Sequence, residues 1–164
     1  MTNIVVKLAT FFDDEIGNSN ISDLIVTKYQ TGEYSLYGKY LINTSTAGWH
    51  KVTVIAYKTE YKFTSLKNAV AWCTLSRAGL GNSAKRLHML DLKLSSLQVE
   101  MSIHSKLYRS AINKNSKDIF ATKIQDDIYK KQQVNAEIKA FINESINIQN
   151  KLFKDDGREF APRR

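Results

Sequence analysis

Two long series of residues in the C-terminal half of the chain advance by alternating steps of three and four. Such spacing lays one stripe along a helix and allows it to pack against the stripe of a second helix. The first series consists of Leu87, Leu90, Leu94, Leu97, Met101, His104, Tyr108 and Ala111, and the second of Phe120, Ile124, Asp127, Lys131, Val134, Ile138, Phe141, Ser145, Ile148 and Leu152. The polar connection at residues 113–117 is only long enough to reverse the chain, so the pattern predicts an antiparallel helical hairpin.

The ends of these two helices carry residues typical of helix caps. The first helix is expected over residues 84–112 with Asn82 or Ser83 as its cap, and the second over residues 117–152 with Ser116 as its cap. Side chains of Ser and Asn favour this position because they accept hydrogen bonds from the first backbone N–H groups of a helix.

Polar residues within the two series indicate the alignment of the helices. A reversal in the middle of the connection brings His104 close to Asp127, and Glu100 close to Lys130 or Lys131. Polar groups in an apolar seam are costly unless they meet partners, and such pairs can fix the register of two helices. A structural role is therefore favoured over a role in proton transfer.

A second apolar row follows the first helix of the hairpin, beside the row that faces its partner helix. It consists of Met89, Leu92, Val99, Ile103 and Leu107. Two helices do not need both rows to pack together. The second row is therefore expected to be covered by the sheet, by the N-terminal segment or by another protein.

The N-terminal half contains short β-branched and aromatic runs separated by turn-forming residues, a pattern typical of antiparallel strands. In the third run, Val52, Val54 and Ala56 alternate with Thr53 and Ile55, so the two groups fall on opposite faces. The predicted strands cover residues 24–29, 34–42, 50–57 and 61–63. Together they predict a small β-meander.

One helix is expected to cover this sheet. Thr64 or Ser65 can cap it, and Gly79 can end it just after Ala78, because Gly adopts the left-handed conformation that terminates helices. The sequence therefore predicts an α+β fold, with a small antiparallel β-meander and a covering helix followed by a long, coiled-coil-like antiparallel helical hairpin.

Four segments follow from this pattern. They are an N-terminal arm at residues 1–20, the sheet with its helix at 21–80, the hairpin at 81–153 and a C-terminal arm at 154–164. Both arms contain aromatic residues, which are unusual on free tails. Phe11, Phe12 and Phe160 are therefore predicted to bind a protein surface, either on this chain or on a partner.

Composition limits the class of protein. No run approaches the roughly 20 apolar residues that a membrane helix requires, so no membrane partner is expected. The single cysteine, Cys73, rules out an internal disulfide framework. His50, His88 and His104 are scattered without metal-ligand spacing, so neither a metal nor another cofactor is predicted.

Catalytic motifs are absent from the sequence. There is no Gly-x-Ser-x-Gly elbow and no His-Glu-x-x-His motif, and Cys73 falls on the apolar face of the covering helix. Residues 79–85 resemble a phosphate-binding loop only weakly, because they join two helices instead of following a buried strand. No enzymatic activity and no small-molecule substrate are therefore expected.

Basic residues cluster in the middle of a chain whose net charge is +8. Residues 65–88 carry four basic side chains and no acid, and one predicted face of the sheet interleaves Tyr and Lys, as surfaces that stack unpaired bases do. The candidate nucleic-acid contacts are Lys39, Lys51, Lys67, Arg77, Lys85 and Arg86 for phosphates, and Tyr37 and Tyr57 for bases. An ordinary solvated helix corner and an ordinary sheet surface also explain these residues.

Three segments resemble a group of short proteins encoded by marine tailed phages of the cyanophage and pelagiphage type. These segments are Tyr37-Gly-Lys-Tyr-Leu-Ile42, Phe63-Thr-Ser-Leu-Lys-Asn-Ala-Val-Ala-Trp-Cys73 and Lys85-Arg-Leu-His-Met-Leu-Asp91. The resemblance covers about residues 33–152 and carries over no functional residue. It implies a phage origin, and hence a place in the virion or in the host cytoplasm during assembly.

Two functions remain under this resemblance. The preferred one is a non-enzymatic virion component or assembly protein that contacts other phage structural proteins or a second copy of itself. The alternative is a basic accessory protein that binds single-stranded DNA or RNA. Apolar arms and surplus apolar surface on the hairpin favour a protein partner, whereas the positive charge is spread over most of the chain.

Overall fold

The computed structural model describes residues 26–30, 32–44 and 51–155. Five strands come first, followed by three helices. The strands are β1 (Val26–Gln30), β2 (Glu33–Leu36), β3 (Tyr40–Asn43), β4 (Val52–Ala56) and β5 (Thr59–Phe63), and the helices are α1 (Leu66–Arg77), α2 (Gly81–Ser110) and α3 (Lys114–Asp155). This order confirms the predicted α+β fold.

The strands form one antiparallel sheet in the order β1-β2-β3-β4-β5, as a meander requires. Alternation along β4 is as predicted for its core face, because Val52, Val54 and Ala56 are buried and Ile55 is exposed. Thr53 departs from the simple pattern, because it is also buried. In strands β2 to β5, the core face is therefore mainly apolar, and the opposite face is only partly open.

The predicted single strand at residues 34–42 is wrong, because the chain reverses in its middle. Tyr37 and Gly38 have φ angles of +58° and +67°, and the backbone N–H of Lys39 donates to the carbonyl of Leu36 at 3.3 Å. Strand residues do not adopt positive φ, and Gly does so at little cost. The strand thus becomes the hairpin β2–β3, with Leu36 paired to Tyr40.

The turn between β4 and β5 is one residue earlier than predicted. Tyr57 and Lys58 occupy it with φ angles of +52° and +62°, and Ala56 pairs with Thr59 across it. Two successive residues of positive φ are typical of the tight hairpin turn that matches the twist of antiparallel strands.

Helix α1 covers the sheet and begins and ends as predicted. The hydroxyl of Ser65 accepts from the backbone N–H of Asn68 at 3.2 Å, and Gly79 follows the helix with a φ of +79°. Its residues 68–75 are all buried, because the helix is enclosed by the sheet on one side and by the hairpin on the other.

The caps of the hairpin helices differ from the prediction. Neither Asn82 nor Ser83 caps α2, because Leu80 holds that position without a side-chain hydrogen bond. At the start of α3, the side chain of Asn113 accepts from the N–H of Ser116 at 2.8 Å, so Asn113 and not Ser116 is the cap. Both helices begin about three residues earlier than predicted, because the turns that precede them are shorter than the polar runs in the sequence.

A single apolar core connects the sheet, α1 and the hairpin. The predicted alignment of the hairpin sets Leu94 beside Ile138, and both are buried and line the same small cavity. Leu90 is also buried, and Phe141 packs partly buried against the core. The predicted antiparallel pairing of α2 and α3 is therefore confirmed.

Asp91 is a fully buried carboxylate on α2 that holds the start of α1. It accepts from the N–H and the hydroxyl of Thr64 at 3.0 and 2.7 Å, and from the side-chain amide of Asn68 at 2.7 Å. Burial of a carboxylate is tolerated only with such partners. These bonds therefore tie the sheet and its covering helix to the hairpin.

Candidate functional site

Aromatic and basic side chains meet in a cleft between the sheet, α1 and the start of α2. The turns at Tyr37 and Tyr57 lie at the same end of the sheet, because β2–β3 and β4–β5 reverse in the same direction. The hydroxyl groups of Tyr40 and Tyr57 lie 3.1 Å apart. The hydrogen bond from Tyr40, together with the charge of Lys39, lowers the pKa of Tyr57, whereas burial raises the pKa of Tyr40.

Trp72 forms the wall of this cleft from the α1 side. Its ring lies 4.5 Å from that of Tyr61 and 5.9 Å from that of Tyr40, measured between ring centres. The ring of His88 on α2 lies 5.5 Å from Tyr61. The cavity has a volume of about 480 Å³ and is lined by Tyr57, Tyr61, Trp72, Ser76, Gly81, Ala84, Lys85, His88 and Met89.

Cations border the aromatic rings on two sides. The Lys39 ammonium lies 4.5 Å from the centre of the Tyr57 ring, and the Arg77 guanidinium lies 5.1 Å from the centre of the Tyr37 ring. Lys85 lines the cleft itself. Five of the eight candidate nucleic-acid residues are therefore brought to this end of the domain.

Tyr37 connects the sheet to α1 through a hydrogen bond. Its hydroxyl lies 2.8 Å from that of Thr74, which donates its own proton to the carbonyl of Val70 at 2.9 Å, so Tyr37 donates to Thr74. Burial raises the pKa of Tyr37. The side-chain amide of Gln149 on α3 donates to the same Thr74 oxygen at 3.0 Å. The two hydrogen bonds to Thr74 therefore link the β2–β3 turn, α1 and α3.

The other three candidates lie elsewhere. Lys51 borders a separate cavity of about 350 Å³ with Asn68 and Gln98. Lys67 is exposed on α1, and Arg86 forms an ion pair with Glu137 of α3 at 2.9 Å. The predicted common face of the sheet is therefore not formed. Tyr37, Lys39 and Tyr57 lie in turns, where the alternation of strand residues does not apply.

Cys73 has the environment of a core residue. It is fully buried, and burial raises the pKa of its thiol well above the usual value. Nucleophilic cysteines are partly exposed and have a lowered pKa. The environment of Cys73 thus differs from that of a nucleophile.

The seam of the hairpin contains the predicted polar pair. Nδ1 of His104 lies 2.5 Å from Oδ2 of Asp127, which confirms the predicted alignment of α2 and α3. Within the described part of the chain, Glu100 makes no ion pair with Lys130 or Lys131. It lies instead one turn from His104 on the same flank of α2, whereas Lys131 lies on the other flank, beside Met101 and Ser105.

The second apolar row of α2 remains open to solvent. We call Met89, Leu92, Val99, Ile103 and Leu107 the α2 row. Their side chains are between 40% and 52% exposed. The sheet therefore does not cover the row, which leaves another protein, or the N-terminal segment, as the predicted cover.

Phe11, Phe12 and Phe160, the predicted partner-binding residues of the arms, lie outside the described residues. Among the helices that the structure describes, none has an apolar stretch sufficient to span a membrane. Comparison of the chain with protein-family models, with curated proteins and with solved structures finds no match.

Proposed function

We propose that the chain is a non-enzymatic phage assembly protein or virion component that acts through protein–protein contacts, and that its principal contact joins the α2 rows of two copies. The observation that carries this proposal is the exposure of five large apolar side chains in one row. A row of exposed large apolar side chains is typical of interaction sites. The resemblance of residues 33–152 to marine phage proteins supports the phage setting.

The spacing of the α2 row favours a second copy as the partner. When the exposed Ser96 is counted with the row, the steps are 3, 4, 3, 4 and 4 residues from the N-terminal end and 4, 4, 3, 4 and 3 from the C-terminal end, which are nearly the same. An antiparallel copy would set Met89 opposite Leu107, and Leu92 opposite Ile103. A surface that matches itself under a two-fold rotation is what a symmetric dimer requires.

Sedimentation equilibrium of the full chain tests this contact. The parent chain should dimerise, and Ile103→Glu should weaken dimerisation at least roughly 100-fold. Each copy loses the burial of one large side chain, worth about 1.5–3 kcal/mol, and the symmetric dimer loses it twice.

The matched control is Ile119→Glu, an equally drastic change at an exposed isoleucine of α3. It should leave the dimer intact. A monomeric parent chain, or equal weakening by both variants, would contradict the proposal.

Binding of single-stranded nucleic acid is the second candidate function. One observation favours it: Tyr57 is exposed, Lys39 lies 4.5 Å from its ring centre, and Lys85 borders the same cleft. An aromatic ring flanked by cations can stack a base while the cations meet phosphates.

Fluorescence anisotropy with a labelled single-stranded oligonucleotide tests this candidate. Replacing Lys39 and Lys85 together with Ala should make the slope of log K against log salt less negative by about 1.4, since each lost phosphate contact contributes about 0.7. Lys139→Ala on the exposed side of α3 is the control. Binding that is absent at low salt, or equal in all variants, would exclude the cleft as a nucleic-acid site.

A further inference from the structure

Three potential metal ligands meet in the seam of the hairpin, nearer its connecting turn than its open end. Glu100 and His104 lie one turn apart on α2, and Asp127 faces them from α3. One ligand atom from each of the three side chains lies within 4.8 Å of the others. Residues four apart on a helix share a face, so the two α2 groups approach Asp127 from the same side.

Glu100, His104 and Asp127 include one carboxylate more than a polar pair that fixes the helix register requires. His104 and Asp127 already bond to each other and are largely shielded, with side-chain exposures of 15% and 2%. Glu100 adds a second carboxylate. Among the described residues, neither Lys130 nor Lys131 forms an ion pair with it, so the second carboxylate has no cationic side chain bonded to it. A divalent cation balances both carboxylates.

We propose that Glu100, His104 and Asp127 bind one divalent transition-metal ion of the zinc class, which bridges α2 and α3. Imidazole nitrogen and carboxylate oxygen are ligands of Zn²⁺ at about 2.0–2.2 Å, whereas Mg²⁺ and Ca²⁺ favour oxygen alone. At such bond lengths, ligand atoms of a tetrahedral site are about 3.4 Å apart.

Small movements bring the three groups to this spacing. The exposed Glu100 side chain has to move inward by at most the distance that separates 4.8 Å from 3.4 Å. Nδ1 of His104 and Oδ2 of Asp127, which lie 2.5 Å apart in their hydrogen bond, have to separate by about 0.9 Å. Glu100 is exposed, so water from the solvent side would be the fourth ligand. Metal binding would join the two helices near the centre of the α2 row, independently of what covers that row.

Isothermal titration of the full chain with ZnCl₂ tests the site, with MgCl₂ as the comparison ion. We expect one Zn²⁺ per chain, a raised midpoint of thermal unfolding and no comparable effect of Mg²⁺. Glu100→Gln should weaken Zn²⁺ binding at least tenfold, and His104→Ala should abolish it. Co²⁺ should bind at the same site and give a visible absorption band that Glu100→Gln reduces.

Glu60→Gln, at an exposed position of β5, is the matched control, and it should bind Zn²⁺ like the parent chain. Glu100→Gln changes only an exposed side chain, so its fold should be retained even where His104→Ala destabilises the hairpin. An absence of Zn²⁺ binding, equal binding by Glu100→Gln and Glu60→Gln, or equally tight binding of Mg²⁺ would overturn the proposal.

Discussion

Replacing Asp91 with Ala should lower the free energy of unfolding by roughly 2–6 kcal/mol. The substitution leaves the N–H of Thr64 and the amide of Asn68 without their acceptor, and each unsatisfied buried donor costs about 1–3 kcal/mol. Asp91→Asn should have an intermediate effect, because its amide keeps one acceptor oxygen. The free energy of unfolding of each variant is measured by urea unfolding followed by circular dichroism.

Asp126→Ala is the control for this prediction, because Asp126 is an exposed carboxylate on α3. Its effect should stay within about 0.5 kcal/mol, as is usual for surface substitutions. Equal stability of Asp91→Ala and Asp126→Ala would show that the buried carboxylate does not hold the sheet and α1 to the hairpin.

Leu94→Ala and Ile138→Ala should each destabilise the protein by about 2–5 kcal/mol, because each leaves a cavity in the buried seam. The two side chains line the same cavity, so the effects should not add. An interaction energy of about 0.5–3 kcal/mol is expected from the double-mutant cycle in urea.

The exposed Ile119 provides the comparison, since Ile119→Ala removes the same kind of side chain from the surface of α3. Its effect should be much smaller than that of Ile138→Ala. Strict additivity of the Leu94 and Ile138 variants would mean that the two residues do not share one packing site.

The hairpin could be predicted because its signal is local and repeated. Apolar residues that recur at alternating steps of three and four over many turns indicate one face of a helix. A short connection then leaves little freedom in the register. The close approach of His104 to Asp127 follows from that spacing alone.

Turns and caps were harder to predict because several polar residues compete for each position. Tyr37 and Tyr57 have high strand propensity, yet both lie in turns with positive φ. The Gly38 within Tyr37-Gly38-Lys39 was the available sign of a reversal. Asn113 precedes Ser116 in the same polar run, and only the length of the turn decides which of them caps α3.

Long-range polar contacts could not be predicted from sequence spacing. Asp91 lies 27 positions after Thr64, and the periodicity of α2 places it beside the apolar stripe without indicating its hydrogen-bond partners. The aromatic cleft was missed for the same reason, because Trp72 and His88 come from different helices that pack beside Tyr61. The predicted contact of Glu100 with Lys130 or Lys131 is not formed, because the alignment of two helices gives a residue's position along the hairpin but not the flank on which it lies.

An intermolecular distance between spin labels tests the proposed α2 contact most directly. A single nitroxide at Lys106→Cys lies on the exposed surface of α2, while buried Cys73 is shielded from labelling. An antiparallel contact centred near residue 98 separates the two labelled positions by about 24 Å along the helix axis, at 1.5 Å per residue. Double electron–electron resonance should therefore give a distance of about 25–30 Å. Strong dipolar broadening of the continuous-wave spectrum, as the 8–10 Å axis separation of parallel helices in register would give, or no coupling between labels, would contradict the account.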